Sequence, residues 1–582
     1  MRYRPFELVE DLERFLGDPA DPDTSFSFKT IAQLDAAEHF PDAICSSLED
    51  WGLHRYYVPS IHGGALADYQ EPLHLLRAIS RRDLTVAIGH AKTFLGGVCA
   101  WTSATPTQAS RLAESVLQRS PVSWGLTERN HGSDLLANEV TATREPGGYV
   151  VRGEKWLINN ATRGDIISLL VRTTPAGGSR GFDVLMVDKR RLREGSYRCL
   201  PKVPTHGIRG ADISGIVFDE AFVDDDALIG HAGKGVDVVL KSLQLTRILC
   251  CSLSLGASDH ALRLATRFAS ERRLYGRRLI ELPRARRILA NAYADHLLCE
   301  ALAVVAARSI HVLTPELSVL SAVAKYLVPT RTDTTIGELA RFIGARSVLA
   351  DVFAEGMFQK VQRDHRVVGL FDGNTLVNLN SLITQFPALS RAAQQHAPAG
   401  DLHGLFDLTA PLPPFDRSQL SLLSVRGSRL LDSLPGSMEA LEQSLRTDDG
   451  LAPLAVLCRA LGEHTRQLLM TMATLRPLAL AVPAEAFDLA HQLSLCVAGA
   501  AAIGLWLGSR EHMADDSANS GLWQQGGWLL SVIGRILTAL GVHVPPHDAT
   551  DDILLSALTS QSLSGQMLSM LPCRLAEGMK FS

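Results

Sequence analysis

Apolar residues recur every three to four positions through residues 31–53, 72–80 and 108–118, the spacing of a helix with one buried face. The spacing predicts a mainly helical segment over residues 1–118, broken by a loop at VPSIHGGALADY, where one Pro and two Gly cluster. The pattern then shortens. VTAT, YVVRG, IISLLVRT, FDVLMVDK and SGIVFDEAFV are short and β-rich, and EPGG, TPAGGSRG and HGIRGAD punctuate them. Residues 119–235 are therefore expected to form a small β-barrel or sandwich. From 236 the helical period returns with VDVVLKSLQLTRILCCSLSLGASDHALRLATRFASERRLYG, and segments 283–313 and 316–350 continue it to a helical domain ending near 385. The Pro-rich patch APLPPFDRS at 410–418 reads as a linker or loop within a further helical region, 386–582. The predicted fold class is α+β, mainly α, with the β block between helical domains.

A chain of 582 residues exceeds the size at which one hydrophobic core stops growing, which agrees with several domains. The formal net charge of −5 is modest and there is no long basic run, so nucleic acid is not an expected partner. The nine cysteines include no C-x-x-C pair and have no His at metal-ligand spacing, so no metal is expected; reduced, mostly buried thiols in a cytoplasm fit better. The first fifteen residues carry charges every few positions and lack the apolar core of a secretory signal. The longest apolar stretch, LCVAGAAAIGLWLG at 495–508, is short of the roughly 20 residues needed to span a bilayer. It reads as a buried helix, with a membrane-surface helix as the alternative.

The candidate chemistry concentrates at 124–160. The turn-rich run WGLTERNHGSD offers backbone N–H groups and hydroxyls to an anionic or heterocyclic ligand, and the β segments EVTATREPGGYVVRG and EKWLINNA supply a rigid floor. WGLTERNHGSD is similar to the acyl-CoA dehydrogenase pattern Y-x-x-T-E-P-x-A-G-S-D, and GEKWLINNA to G-x-K-x-W-I-T-N-G. ERRLYGR resembles the family's E-R-x-x-F-G, and RDHRVVGLFDGNT its R-D-x-x-x-x-x-I-Y-E-G-T. The ordered motifs cover roughly residues 40–385.

The resemblance implies an acyl-CoA dehydrogenase-like fold, with an N-terminal helical domain, a middle β domain, a C-terminal four-helix bundle and an extra C-terminal helical domain. It implies FAD as cofactor. Trp124, Leu126, Thr127, Gly132, Ser133, Leu157, Ile158, Asn159, Arg272, Tyr275 and Asn374 fall at cofactor-binding positions. Thr127 would bond the isoalloxazine edge, Asn159 stands where a Thr reaches flavin N5, and Leu157 stands where a Trp shields the ring. Arg272 matches an Arg that grips the pyrophosphate of a cofactor held mainly by a neighbouring subunit, a task suited to a guanidinium fork. Arg129 and His131 replace the usual Pro and Ala. A Gln a few residues past the Arg motif and the segment Gly-Gly-x-Gly-Phe are absent, with Pro283 and VLADV in their regions.

Asp372 stands where the family's Glu removes the substrate α-proton. The alternative base position on the long helix is Thr246, before Arg247, so Asp372 alone of the two supplies a carboxylate. Arg247 is expected to orient the carboxylate or the substrate, and Ser133, Gln244 and Gly373 to line the substrate. The implied reaction is α,β-dehydrogenation of an acyl thioester on CoA or on a carrier protein, with an electron acceptor such as an electron-transfer flavoprotein. The implied assembly is a homodimer, with a tetramer as alternative. Two other readings are a flavin oxidase of the same fold, since nitroalkane oxidases of this superfamily use an Asp base, and a degenerate scaffold subunit. The basic run RRLREGSYR at 190–198 reads as a solvated turn, with a contact for an acidic carrier protein as the alternative.

Overall fold

The computed structural model describes residues 3–395, 399–446, 448–475, 481–513, 520–524, 526–544 and 548–577. These residues form two compact units, one within 30–72 and 83–246, the other drawn from the described residues of 3–29, 73–82 and 247–577.

The first unit is built on an eight-stranded sheet: β1 Val122–Gly125, β2 Thr141–Glu145, β3 Gly148–Asn159, β4 Ile166–Arg172, β5 Phe182–Asp188, β6 Tyr197–Leu200, β7 Ile213–Asp224 and β8 Leu228–Ile229. The order is β6-β7-β3-β2-β4-β5-β8, and β1 pairs in parallel with β4. β4 reads as an apolar run interrupted only by Ser168 before its final Arg172, because both of its faces are buried. Ile167, Leu169 and Val171 join the sheet core with Val151, Leu185, Ile216 and Phe218. On the other face Ser168 Oγ donates to the Gly96 carbonyl at 2.6 Å, in helix Leu84–Ser103. That helix starts at Asp83, whose carboxylate caps the Thr85 amide. It lies so close to β1 that a Cβ on Gly96 would stand 2.6 Å from the Val122 carbonyl carbon. β1, β6 and β8 were not expected from the alternation; at two to four residues each, they are too short to show a period.

The second unit packs helices Cys251–Glu271, Pro283–Val312 and Leu317–Ile343 against one another, with Met357–His365 and Thr375–Ile383 laid on them. Gly256 permits helix Cys251–Glu271 to pass the chain at 77–81, since a Cβ there would lie 2.5 Å from the Arg77 carbonyl oxygen. The later helices pack on this bundle. Helix Ala484–Met513 contacts both Pro283–Val312 and Thr375–Ile383. The apolar stretch 495–508 lies in it, and its most apolar window is 83% buried, as is 89% of that in Pro283–Val312; both are long and apolar enough to cross a membrane, yet their apolar surface is inside the protein. Arg308 holds the chain before the Pro-rich patch by donating to the carbonyls of Gly404, Leu405, Asp407 and Ala410. All nine cysteines are free, and all but Cys199 are buried.

Candidate functional site

The residues assigned from sequence fall in both units. Trp124 to Asn159 and Gln244 belong to the first; Arg247, Arg272, Tyr275 and Asp372 to Asn374 belong to the second.

In the first unit, a buried ion pair fixes the loop that follows β1. Lys155 Nζ, fully buried on β3, donates to Glu128 Oε1 at 2.8 Å and to the Leu126 carbonyl at 3.2 Å. Glu128 also accepts from the amides of Glu139 and Val140 at 2.6 and 3.0 Å, so one carboxylate closes both ends of the loop. Burial pushes Lys155 down to about 8, with Glu128 opposing. Burial would raise the Glu128 carboxyl, but Lys155 and the two amides together hold it below its ordinary value. Asn138 Nδ2 donates to Leu126 O at 2.8 Å, and Trp156 N donates to Thr127 O at 3.0 Å, which locks the Thr127 backbone to β3. The loop tip stays open: Gly132 and Ser133 are exposed, and a Cβ on Gly132 would meet nothing within 4 Å. Arg129, at the family's Pro position, forks onto Glu154 at 3.1 and 2.6 Å and lies over the Trp156 ring at 4.7 Å.

The floor strand carries an irregularity at the same place. The β3–β7 register shifts between Trp156 and Ile158, leaving Leu157 as the extra residue of a bulge. Leu157 has φ +56° and is 41% exposed. Bulged αL residues other than glycine are uncommon and carry strain, a feature that collects at ligand sites. Ile158 turns into the sheet core, so only its backbone is available to a ligand. Asn159 is 9% exposed, and neither its Oδ1 nor its Nδ2 has a hydrogen-bond partner among the described residues. A buried primary amide left without partners is costly, and it fits a polar heterocycle laid against it. Trp124 lies on β1 in register with Ser168, and Gln244 is buried in helix Gly235–Leu249.

In the second unit, the turn after residue 367 is held by two buried cations. Arg247 Nε donates to the Asp372 carbonyl at 3.0 Å. Lys325 Nζ donates to the Val368 carbonyl at 2.6 Å and approaches the Gly373 carbonyl at 3.5 Å. Burial lowers both groups, Arg247 to about 10, with Asp372 opposing in each case. Asp372 and Gly373 both lie at positive φ, +54° and +94°. A Cβ at 373 would also stand 2.8 Å from Arg247 Nη2, so the guanidinium would have to shift. Asn374 caps helix Thr375–Ile383 through the Val377 amide at 2.9 Å, and Asn378 Nδ2 donates to the carbonyls of Gly373 and Asn374. With its backbone fixed, Asp372 presents a half-buried carboxylate whose Oδ2 lies 3.5 Å from Cys250 Sγ. Arg272 ends helix Cys251–Glu271 and begins a two-stranded hairpin with Tyr275 and Gly276 at its turn. Tyr275 is 96% exposed, and the Arg272 guanidinium has no side-chain partner among the described residues.

Residues 123–221 match the acyl-CoA dehydrogenase middle domain, and residues 233–385 match the acyl-CoA dehydrogenase C-terminal domain. Residues 123–385 thus carry the middle and C-terminal domains of the acyl-CoA dehydrogenases. It is 26% identical over 280 residues to a mitochondrial isovaleryl-CoA dehydrogenase of Oryza sativa subsp. japonica, a match covering 46% of this chain and 67% of that one. The fold of an acyl-CoA dehydrogenase from Bacillus anthracis, solved with FAD, superposes with TM-score 0.71 at 17% identity and covers 96% of this chain and 95% of that one. The prolyl acyl carrier protein oxidase AnaB superposes with TM-score 0.57 at 16% identity over 64% of this chain and 96% of its own. The fold expected from the motifs, including the extra C-terminal helices, is the fold observed.

Four residues of these acyl-CoA dehydrogenase domains carry site structure without having been singled out from sequence. Glu128 and Lys155 sit inside the two quoted motifs. Lys325 is the lone charge in the apolar run 317–329, a legible signal for a buried cation. Cys250 has no such signal. The basic run at 190–198 behaves as a surface turn: Arg190 forks onto Asp188 at 2.9 and 2.8 Å, and Arg191 pairs with Asp224 at 3.2 Å.

Proposed function

We propose that this chain is an FAD-dependent oxidoreductase that desaturates the α,β-bond of an acyl thioester, with Asp372 as the base. The observation that carries this reading is a carboxylate at the family's base position, on a turn whose carbonyls at 368 and 372 are tied down by Lys325 and Arg247. Thr127, Ser133, Leu157 and the backbone of Ile158 would hold the flavin, Asn159 would supply its unpartnered amide, and Arg272 would grip the pyrophosphate. When bound, FAD supplies the two-electron acceptor for the hydride that leaves the β-carbon. The chain's own residues handle the proton and the geometry. Asp372 takes the α-proton on a carboxylate oxygen. Arg247 and Lys325 hold its backbone, so the short side chain starts from a defined point; small misplacements of a base are costly in rate.

The proposed substrate is carried on CoA or on an acyl carrier protein, and the proposed electron acceptor is a separate protein such as an electron-transfer flavoprotein. The exposed hairpin with Arg272 and Tyr275 supports a homodimer, and nine free thiols support a reducing, cytoplasmic location.

A second reading, a flavin oxidase, is favoured by one observation: position 157 carries a partly exposed Leu where the family has a Trp over the ring. The test is the visible spectrum of the purified protein, followed by anaerobic titration with acyl-CoA and acyl-carrier thioesters. The dehydrogenase reading expects a flavin spectrum that bleaches with a thioester and recolours slowly in air. Rapid oxygen consumption during turnover identifies the oxidase, and a protein that takes up no flavin contradicts both.

A further inference from the structure

We propose that Cys250 is a positioning residue for Asp372, its thiol holding carboxylate Oδ2 so that Oδ1 is the oxygen that takes the substrate proton. The inference rests on Asp372 being the base. Cys250 stands three residues after Arg247 on a continuous helical path, so the two side chains share a face. That face meets the 368–374 turn twice. Arg247 Nε holds the Asp372 carbonyl at 3.0 Å, and Cys250 Sγ lies 3.5 Å from Asp372 Oδ2. The backbone contacts fix where the aspartate begins, and the thiol contact acts on its side-chain torsions. Cys250 is 4% exposed, so solvent competes little for the contact.

The thiol donates and the carboxylate accepts, so the contact aims the carboxylate without adding a charge. Other charged groups facing this turn include Arg247 from the preceding helix and, from helix Leu317–Ile343, Lys325 and Asp333, whose carboxylate would lie 3.9 Å from a Cβ on Gly369. Cys251 stands behind Lys325 and is buried, which holds its thiol well above the ordinary range and therefore neutral. Removing the Cys250 donor leaves both cations in place, so its effect is separable from theirs.

The test uses the FAD-loaded full chain. The infrared S–H band of Cys250 is isolated as the difference between the unsubstituted protein and Cys250→Ala, then measured again on an Asp372→Leu background. A hydrogen-bonded thiol gives a band at lower frequency that moves up when Asp372 is replaced. A band unmoved by Asp372→Leu overturns the inference, with or without a known substrate. The kinetic arm follows anaerobic flavin bleaching with butyryl-CoA, isovaleryl-CoA and a prolyl carrier thioester. Cys250→Ala is expected to slow bleaching roughly fivefold at unchanged flavin content, since small misplacements of a base cost rate, and Cys250→Ser to restore it. A bleaching rate identical in all three proteins also overturns the inference. Bleaching that survives Asp372→Asn overturns the base assignment instead, whatever the thiol band does.

Discussion

Lys155 is an ammonium with no exposed surface, and it is tolerable because Glu128 and the Leu126 carbonyl accept hydrogen bonds from it. Glu128 in turn serves two backbone amides, so its loss would orphan a buried cation and two N–H groups together. Glu128→Ala is therefore expected to cost about 3–5 kcal/mol in urea unfolding, the range for breaking a buried pair from one side, and to release flavin. Glu128→Ala protein with unchanged stability and flavin content would show the pair to be dispensable. The sequence placed both residues inside ligand-binding motifs, but not their contact: 27 positions separate them, and only the fold of the loop over β3 brings them together. Asp372 and Arg247 were legible as candidates, while the bond between them runs to the aspartate's backbone carbonyl rather than its carboxylate. A backbone acceptor leaves no mark on side-chain identity.

Bulges and hairpins were the elements least visible in the pattern. Leu157 occupies an alternating β segment that gives no hint of an extra residue, yet the β7 register steps by one there. An L-residue at φ +56° carries strain of about 1–2 kcal/mol, which glycine lacks at some cost in chain entropy. Leu157→Gly should leave the urea midpoint unchanged or slightly raised, whereas β-branched Leu157→Val should lower it. If Val is tolerated as well as Gly, the backbone at 157 is not held in the left-handed region. The helical run predicted through residue 276 stops instead at Glu271, because Tyr275 and Gly276 both adopt positive φ and turn the chain into a hairpin. By contrast the long helices at 283–312 and 317–343 matched their periodic segments closely, since buried faces of seven or more turns leave an unambiguous pattern.

Across the second unit, the chain's last described segment is drawn into the bundle by buried charge. Arg77 donates to Glu300 at 2.5 Å and to the Leu568 carbonyl at 2.9 Å, and Glu300 accepts from Ser569 Oγ and the Met570 amide. Arg81 pairs with Glu577 and, more loosely, with Glu13. Burial would raise Glu577, yet Arg81 and Arg263 outweigh it and hold the carboxyl at about 2 against an ordinary 4.5. Between those values the unfolded chain carries a proton that the folded chain does not, so this stabilisation is complete above about pH 5 and is lost as pH falls toward 2. Glu577→Gln is expected to lower the melting temperature at pH 7 and to flatten its decline between pH 5 and 3; an unchanged acid decline would remove Glu577 from that role. Periodicity forecast helices in this region but could not forecast such ties, which join residues up to about 500 positions apart. The most direct test of the whole assignment is anaerobic, single-turnover bleaching of the bound flavin by the best thioester of the panel, compared between the unsubstituted chain and Asp372→Asn. The dehydrogenase reading predicts equal flavin content in the two proteins and a bleaching rate at least about a hundredfold slower in Asp372→Asn, as for loss of a general base. Bleaching at the unsubstituted rate in Asp372→Asn would contradict it.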